Sequence, residues 1–389
     1  MSIKPQESDR MDLNELRKEI DRIDEEMVSL FEKRMAVSEK VAAWKIENGR
    51  RVFDKEREKN KLAVLTAMAS SDFNRHGIQE LYEQIMSMSR KLQYQLLAQD
   101  GVLGKLAFIG ESSLDTKGAR VVYQGAPGSY SQEAARCFFG NSVNDCHVDT
   151  WRECMEAIED GSADYAVLPI DNSTAGAVSQ VYNLLEEFEN YIVAEQVISV
   201  RHALIGLPGA DTAHIEKVYS HPQALMQSAR YLDAHPYMEQ ISVGNTALAA
   251  QKVLRDGINT EAAIASEYAA EVYGLEILES GINQSEENST RFIIITNQKI
   301  FLENADKISI CFEVPHSSGS LYRILSHIIY NDLNMTKIES QPMEDYTWEY
   351  RFFVDFEGNL NDASVKNAIR GLREEARNLK ILGNYVSRT

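Results

Sequence analysis

Apolar side chains recur at Leu13, Leu16, Ile20, Ile23, Met27, Leu30, Val37, Val41 and Trp44. Steps of three and four residues make this a heptad seam, and a seam this long predicts one extended helix. Shorter helices follow over about 54–69 and 78–97, the last with a stripe of Leu81, Ile85, Leu92 and Leu96. Three helices of such unequal length cannot cover the long seam, so a homo-oligomer, at least a dimer through this helical block, is expected. Arg34 occupies a seam position, and Ser89 and Gln93 stand on or beside the third stripe. A polar residue at one seam position can simply fix register. Lys45 changes the weighing, because eleven residues are close to three full turns. Arg34 and Lys45 therefore share a face, about 16 Å apart along the axis, and can converge on a small dianion. Arg17 lies about 25 Å from Arg34 on a different face, so it can serve that pocket only from a second chain.

These residues carry a resemblance. The set Leu16-Arg17, Arg34, Lys45, Asp54, Arg57-Glu58, Ser89 and Gln93 is similar to the all-helical chorismate mutase family over nearly all of residues 11–95. The resemblance implies that Arg17 (from the partner), Arg34 and Arg57 hold the substrate carboxylates. It implies that Lys45 and Gln93 bind the ether oxygen as its bond breaks. Asp54, Glu58 and Ser89 would contact the hydroxyl end or support the pocket.

Charge then marks a boundary. Residues 1–100 carry 18 Lys+Arg against 19 Asp+Glu, whereas the whole chain has a net charge of −19. So acidic a chain argues against a nucleic-acid or anionic-membrane partner. Four Cys lack ligand spacing and read as free thiols. The polar start of the chain and the lack of a long apolar run point to the cytoplasm. Residues 101–118 read as a linker with little structure around the apolar piece 106–109. From Arg120, short strands alternate with helices. The strand Tyr165–Ile170 is expected to close at Pro169, with Ser173 or Thr174 capping the next helix. The stretch Asn288–Phe292 reads as a loop that delivers Thr290 and Arg291 to a buried strand. Between Arg120 and Lys299 there are 10 Lys+Arg and 25 Asp+Glu. An Arg there either pairs with a carboxylate or binds an anion.

Several runs resemble prephenate dehydratase over about 119–298: Gly125-Ala126-Pro127-Gly128-Ser129-Tyr130-Ser131, the stretch Ala163 to Ser173, His221-Pro222-Gln223-Ala224-Leu225, and Thr290-Arg291-Phe292. Asp171 stands where that family usually has Glu. The resemblance implies a periplasmic-binding-protein-like pair of α/β lobes, about 119–197 plus 280–298 and 198–279, around a cleft. It implies Thr290 as donor or acid to a leaving hydroxyl. Arg291 would hold a substrate carboxylate or order the loop. Ser131, Asn172, Ser173, Thr174 and His202 are further candidates, and His202 also reads as a packed imidazole.

Residues 300–389 show a βαββαβ order, which is ferredoxin-like. By pattern alone this could be a packing or dimerisation unit. Ser318-Gly319-Ser320-Leu321 and Glu339-Ser340-Gln341-Pro342 resemble the phenylalanine-sensing ACT domain. That implies an effector site of Gly319, Ser320, Leu321, Glu339 and Ser340. Ser320 and Gln341 replace the usual Ala and Arg. Together the resemblances imply a multidomain bifunctional enzyme that converts chorismate to prephenate and prephenate to phenylpyruvate, without metal or cofactor, under phenylalanine control. Two rivals remain: a binding protein with a sensor unit, and a dehydratase whose helices only dimerise.

Overall fold

The computed structural model describes residues 12–48, 50, 52–99, 108–285, 287–315, 317–343 and 349–388. Helix α1 (Leu13–Glu47) starts at Asp12, whose carboxylate accepts the Asn14 N–H at 3.1 Å. It runs 35 residues without Gly or Pro to interrupt it. Helix α2 (Lys55–Ala67) is capped by Asp54, which accepts the Arg57 N–H at 3.1 Å. Helix α3 (Asp72–Gln99) begins six residues earlier than its apolar stripe predicts. Ser71 explains this by capping it, its Oγ accepting the Asn74 N–H at 3.2 Å. Both α1 and α2 pack on α3. Along α1, Leu13, Ile20, Ile23, Met27, Leu30, Val37 and Trp44 stay exposed, so the chain does not cover its own seam.

Residues 101–107 of the expected linker lie outside the described residues. The rest is more ordered than expected. Ile109–Glu111 pairs in parallel with Ile300–Leu302, and Phe108 packs edge-on to Tyr191 at 5.3 Å.

Two sheets follow. The smaller has the order Glu276–Glu279, His202–Gly206, Glu261–Ser266, Lys217–Ser220, Glu239–Ser242. The larger runs Met335–Pro342, Tyr350–Glu357, Lys307–Glu313, Arg377–Tyr385, Tyr191–Ser199, Ser289–Thr296, Tyr165–Asn172, Arg120–Gln124, Asn144–Val148, with Gly176–Ala177 beside Tyr165–Asn172. The chain crosses between the two lobes twice, near 200 and near 280–288. The return strand places Thr290 opposite Asn172 in register.

Several local expectations are corrected. Thr290 and Arg291 lie within a strand, not a loop. Tyr165–Asn172 runs on through Pro169. The register slips where Pro169 faces the step between Arg291 and Phe292, which tolerates a missing N–H. Neither Ser173 nor Thr174 caps a helix, since the next one is Ser179–Glu187, with Val178 at its start and no side-chain cap. The helix expected over Pro222–His235 is two, Pro222–Gln227 and Ala229–Ala234, parted at Ser228.

The C-terminal unit runs Lys307–Glu313, helix Ser320–Ile329, Met335–Pro342, Tyr350–Glu357, helix Ala363–Glu375 and Arg377–Tyr385. Its all-antiparallel sheet is ferredoxin-like. Trp348, expected to open its third strand, lies outside the described residues. This unit does not hang free. Arg377–Tyr385 pairs in parallel with Tyr191–Ser199 at Gly383 and Ile192. A Cβ at Gly383 would sit 2.0 Å from the Ile192 carbonyl oxygen, so only glycine permits the approach. Cys311, Phe353, Leu382 and Tyr385 share one core with Leu168, Leu185 and Ile293.

Candidate active sites

The helical block encloses a cavity of about 840 Å³. Seven sequence-predicted residues line it: Arg34 and Lys45 from α1, Asp54, Arg57 and Glu58 from the start of α2, and Ser89 and Gln93 from α3. Lys45 Nζ donates to Gln93 Oε1 at 3.1 Å, and Gln93 Nε2 donates to the Ser89 carbonyl at 3.1 Å. Arg34 donates to Ser89 Oγ. Burial lowers the pKa of both Arg34 and Lys45, and for Lys45 the Arg57 charge adds to it. Burial pushes the Glu58 carboxyl up, against the pull of Arg90. The cavity thus offers cations at partial desolvation cost, which an anionic ligand would relieve. Arg17 is exposed and does not line it.

A second cavity, about 570 Å³, lies between the lobes. Thr290, Asn172 and His202 reach it. Asn172 is the hub. Its Nδ2 donates to Thr290 Oγ1 (2.9 Å), Asn288 Oδ1 (2.9 Å) and the Ser289 carbonyl (3.1 Å). Its Oδ1 accepts from Thr174 Oγ1 (2.7 Å) and from the Thr174 and Ala175 N–H groups. Across the cleft, Gln227 Nε2 donates to Thr174 Oγ1 at 2.9 Å, and Gln227 Oε1 lies 3.0 Å from His202 Nε2. Burial lowers the His202 pKa, so it is a neutral imidazole that gives Nε2–H to Gln227 and presents Nδ1 to the Tyr130 hydroxyl at 3.2 Å. Ser173 only fastens the strand, donating to the Glu287 carbonyl and accepting the Ser289 N–H.

Ser131 is buried in its helix and misses the cavity, because its neighbour Tyr130 takes the cleft-facing position. Tyr130, Trp151 and Gln227 line the cleft without having been predicted. Two of them had a signal: Tyr130 stands in the motif Gly125 to Ser131 beside Ser131, and Gln227 one helical turn after Gln223 in the motif His221 to Leu225. Behind this loop, burial and the facing Glu267 push the Glu133 carboxyl up to about 7.

Arg291 does not enter the cleft. Strand alternation turns it away from Thr290. Its guanidinium binds Asp171 Oδ2 (2.5 and 3.0 Å), Glu195 Oε2 (3.2 Å) and Asp355 Oδ2 (3.1 Å). Burial would lower its pKa, but Tyr385, Asp355 and Asp171 reverse this and raise it. Of the two roles expected of Arg291, these partners fit the ordering one, and the contact with a substrate carboxylate does not fit its position outside the cleft. Asp171 also takes the Tyr182 hydroxyl and Lys337, and Glu195 takes Lys307 at 2.8 Å. Asp355, Lys337 and Lys307 come from the C-terminal unit.

That unit has its own cavity of about 500 Å³ beside Ser320, Leu321, Tyr350 and Phe352. Gly319, in left-handed conformation at φ 71°, precedes the helix but does not line the cavity, and neither do Glu339 and Ser340. Those two lie on the outer strand of the sheet. Among the described residues, no cluster of His, Cys, Asp and Glu could hold a metal, and no helix is long and apolar enough to cross a membrane.

Comparison with known proteins assigns a family to the segments that hold these two cavities. Residues 16–94 match the family model of chorismate mutase type II, and residues 121–300 that of prephenate dehydratase. A bifunctional chorismate mutase/prephenate dehydratase of Aquifex aeolicus is 32% identical over 376 residues, covering 96% of this chain and 98% of that one. A structure of prephenate dehydratase in complex with L-Phe from Arthrobacter aurescens is 26% identical with TM-score 0.64, covering 69% of this chain and 90% of that one. A structure described as a novel type of quorum quenching acylase is 30% identical with TM-score 0.64, covering 69% and 98%.

Proposed function

This chain belongs to the bifunctional chorismate mutase/prephenate dehydratase family, and on that premise we propose how its residues divide the work. In the helical cavity, Arg34, Arg57 and the partner subunit's Arg17 hold the chorismate carboxylates. Lys45 and Gln93 bind the ether oxygen. A Claisen rearrangement needs no nucleophile, only a compact conformer and positive charge where oxygen becomes negative. Lys45 donates to Gln93 Oε1 at 3.1 Å, which holds the two side chains side by side, and Gln93 reaches the ether oxygen through Nε2 by exchanging its bond to the Ser89 carbonyl for one to substrate. Asp54, Glu58 and Ser89 serve the hydroxyl end. The exposed seam of α1 supports a dimer in which Arg17 crosses to the other copy.

In the cleft, prephenate loses carbon dioxide and its ring hydroxyl. The electrons of the breaking carbon–carboxylate bond enter the ring, and the hydroxyl leaves as water once protonated. Thr290 donates to that hydroxyl, relaying a proton rather than owning one. The observation that carries this is Thr290 Oγ1 facing the cleft and accepting from Asn172 Nδ2 at 2.9 Å, which leaves its proton free for substrate. An acylase-type reaction would need a base on that hydroxyl. The bonds of His202 go to Tyr130 and Gln227 instead.

The C-terminal unit reads as an ACT domain that senses phenylalanine through Gly319, Ser320, Leu321, Glu339 and Ser340 where two copies meet. Its route to the cleft is short, because Asp355 and Lys337 hold Arg291 and Asp171, the sequence neighbours of Thr290 and Asn172. The enzyme acts in the cytoplasm. Chorismate loss and phenylpyruvate appearance, assayed separately with and without millimolar phenylalanine, test these assignments. Phenylalanine without effect on either rate would remove the effector role.

A further inference from the structure

The mutase cavity is tied to the C-terminal unit through one arginine. Arg90 lies on α3, outside the cavity wall, with its side chain only 10% exposed. Its Nη1 pairs with Glu58, which does line the cavity. Its Nη2 pairs with Glu375 Oε1 at 3.0 Å, at the end of helix Ala363–Glu375. The guanidinium also rests on the Phe53 ring, 4.8 Å from its centre. Glu375 in turn meets His327 Nε2 at 3.1 Å. Gly371 makes that contact possible, since a Cβ there would lie 2.2 Å from His327 Nδ1. Beside this chain of charges, the Tyr94 hydroxyl donates to Glu374, and Arg370 lies over the Tyr94 ring at 5.2 Å.

One guanidinium here serves two carboxylates of different domains. Each draws on the same charge, so a change at one is felt at the other. We propose that Arg90 and Glu375 are positioning residues for Glu58, through which the C-terminal unit tunes the mutase reaction. The inference rests on the mutase reading of the helical cavity. The charges facing Glu58 are Arg90, Glu375, Lys45 and Arg34, and those facing Glu375 are His327, Arg90 and Arg323. Glu375 pushes the Glu58 carboxyl up and Arg90 draws it down.

The test uses the full chain carrying Glu375→Gln, Arg90→Met or Arg90→Lys. Mutase kcat/KM is followed against pH, and dehydratase turnover on prephenate is read in parallel. In Glu375→Gln, Arg90 belongs to Glu58 alone, so the acid limb of the mutase profile moves to lower pH. In Arg90→Met the limb moves to higher pH, and mutase kcat/KM at neutral pH falls on the order of tenfold to a hundredfold, as expected when a positioned group is misplaced. Arg90→Lys recovers part of the loss. Dehydratase turnover stays at the level of the unaltered chain. Coincident acid limbs in all four proteins would overturn the proposal. So would an equal fall of both activities, which would make Glu375 a packing residue. An unaltered chain with no mutase activity would instead refute the reading on which the proposal rests.

Discussion

Replacing Thr290 by valine separates chemistry from scaffolding. The hydroxyl accepts one hydrogen bond, from Asn172 Nδ2, and that amide keeps Asn288 Oδ1 at 2.9 Å and the Ser289 carbonyl at 3.1 Å. Losing one partner of three costs about 1 kcal/mol. Valine has nearly the shape of threonine and suits a strand. Against a total stability of roughly 5–15 kcal/mol, the protein stays folded. The chemical cost is larger. A positioned proton donor contributes about 10²–10⁴-fold, or roughly 3–5 kcal/mol of barrier. Thr290→Val should therefore lower phenylpyruvate formation by at least about a hundredfold. Chorismate loss should be untouched, and the melting temperature should fall by only a few degrees. Stopped assays of both activities with a calorimetric melt would show this. Dehydratase turnover within tenfold of the unaltered chain would refute the role of Thr290. So would a parallel fall in both activities.

Other outcomes follow from the same geometry. Lys45→Ala should abolish chorismate loss while phenylpyruvate formation and helical circular dichroism persist, and near-normal mutase turnover would end the assignment. Arg291→Leu leaves Asp171, Glu195 and Asp355 short of a counter-charge and should destabilise the fold by about 3–5 kcal/mol. Urea unfolding would show it, and an unshifted midpoint would count against the cluster. Glu133 has a folded pKa of about 7, above the ordinary carboxyl value of 4.5. The fold thus favours its protonated form, and the stability this gives is present below about pH 4.5 and lost as pH rises through 7. Glu133→Gln should melt above the unaltered protein at pH 8 and with it at pH 4, whereas equal melts at pH 8 would show that neither burial nor Glu267 penalises the charged carboxylate.

The sequence made the periodic and the clustered legible. Heptad spacing located α1, and seven residues named around Lys45 meet in one cavity. The βαββαβ order of the last unit follows from alternation in strands such as Tyr350–Glu357. What escaped was polar or long-range. The strands Asn144–Val148, Glu239–Ser242 and Glu276–Glu279 lie at sheet edges with most side chains exposed, so they carry no apolar signal. Pro169 reads as a stop because its tolerance depends on a bulge at Ile170 that only pairing with the distant strand Ser289–Thr296 reveals. The two roles of Arg291, holding a substrate carboxylate or ordering the loop, stay open in the sequence because its partners, Asp171, Glu195 and Asp355, are 64 to 120 residues away. Alternation beside Thr290 could have shown that the two face opposite sides. Nothing in the spacing of Arg90 announces a bond to a residue 285 positions later.

The pairing of Gly383 with Ile192 has a mechanical meaning. A regulatory unit on a flexible tether can only meet or leave its target. Here the unit's last strand is stitched into the same sheet that carries Thr290, two strands away. Any change of its twist must pass through Tyr191–Ser199 as shear along the strands. On the proposed regulatory reading, control of the cleft is a matter of strain in a continuous solid, and a single methyl group at residue 383, 2.0 Å from the Ile192 carbonyl oxygen, would disturb the joint that carries it.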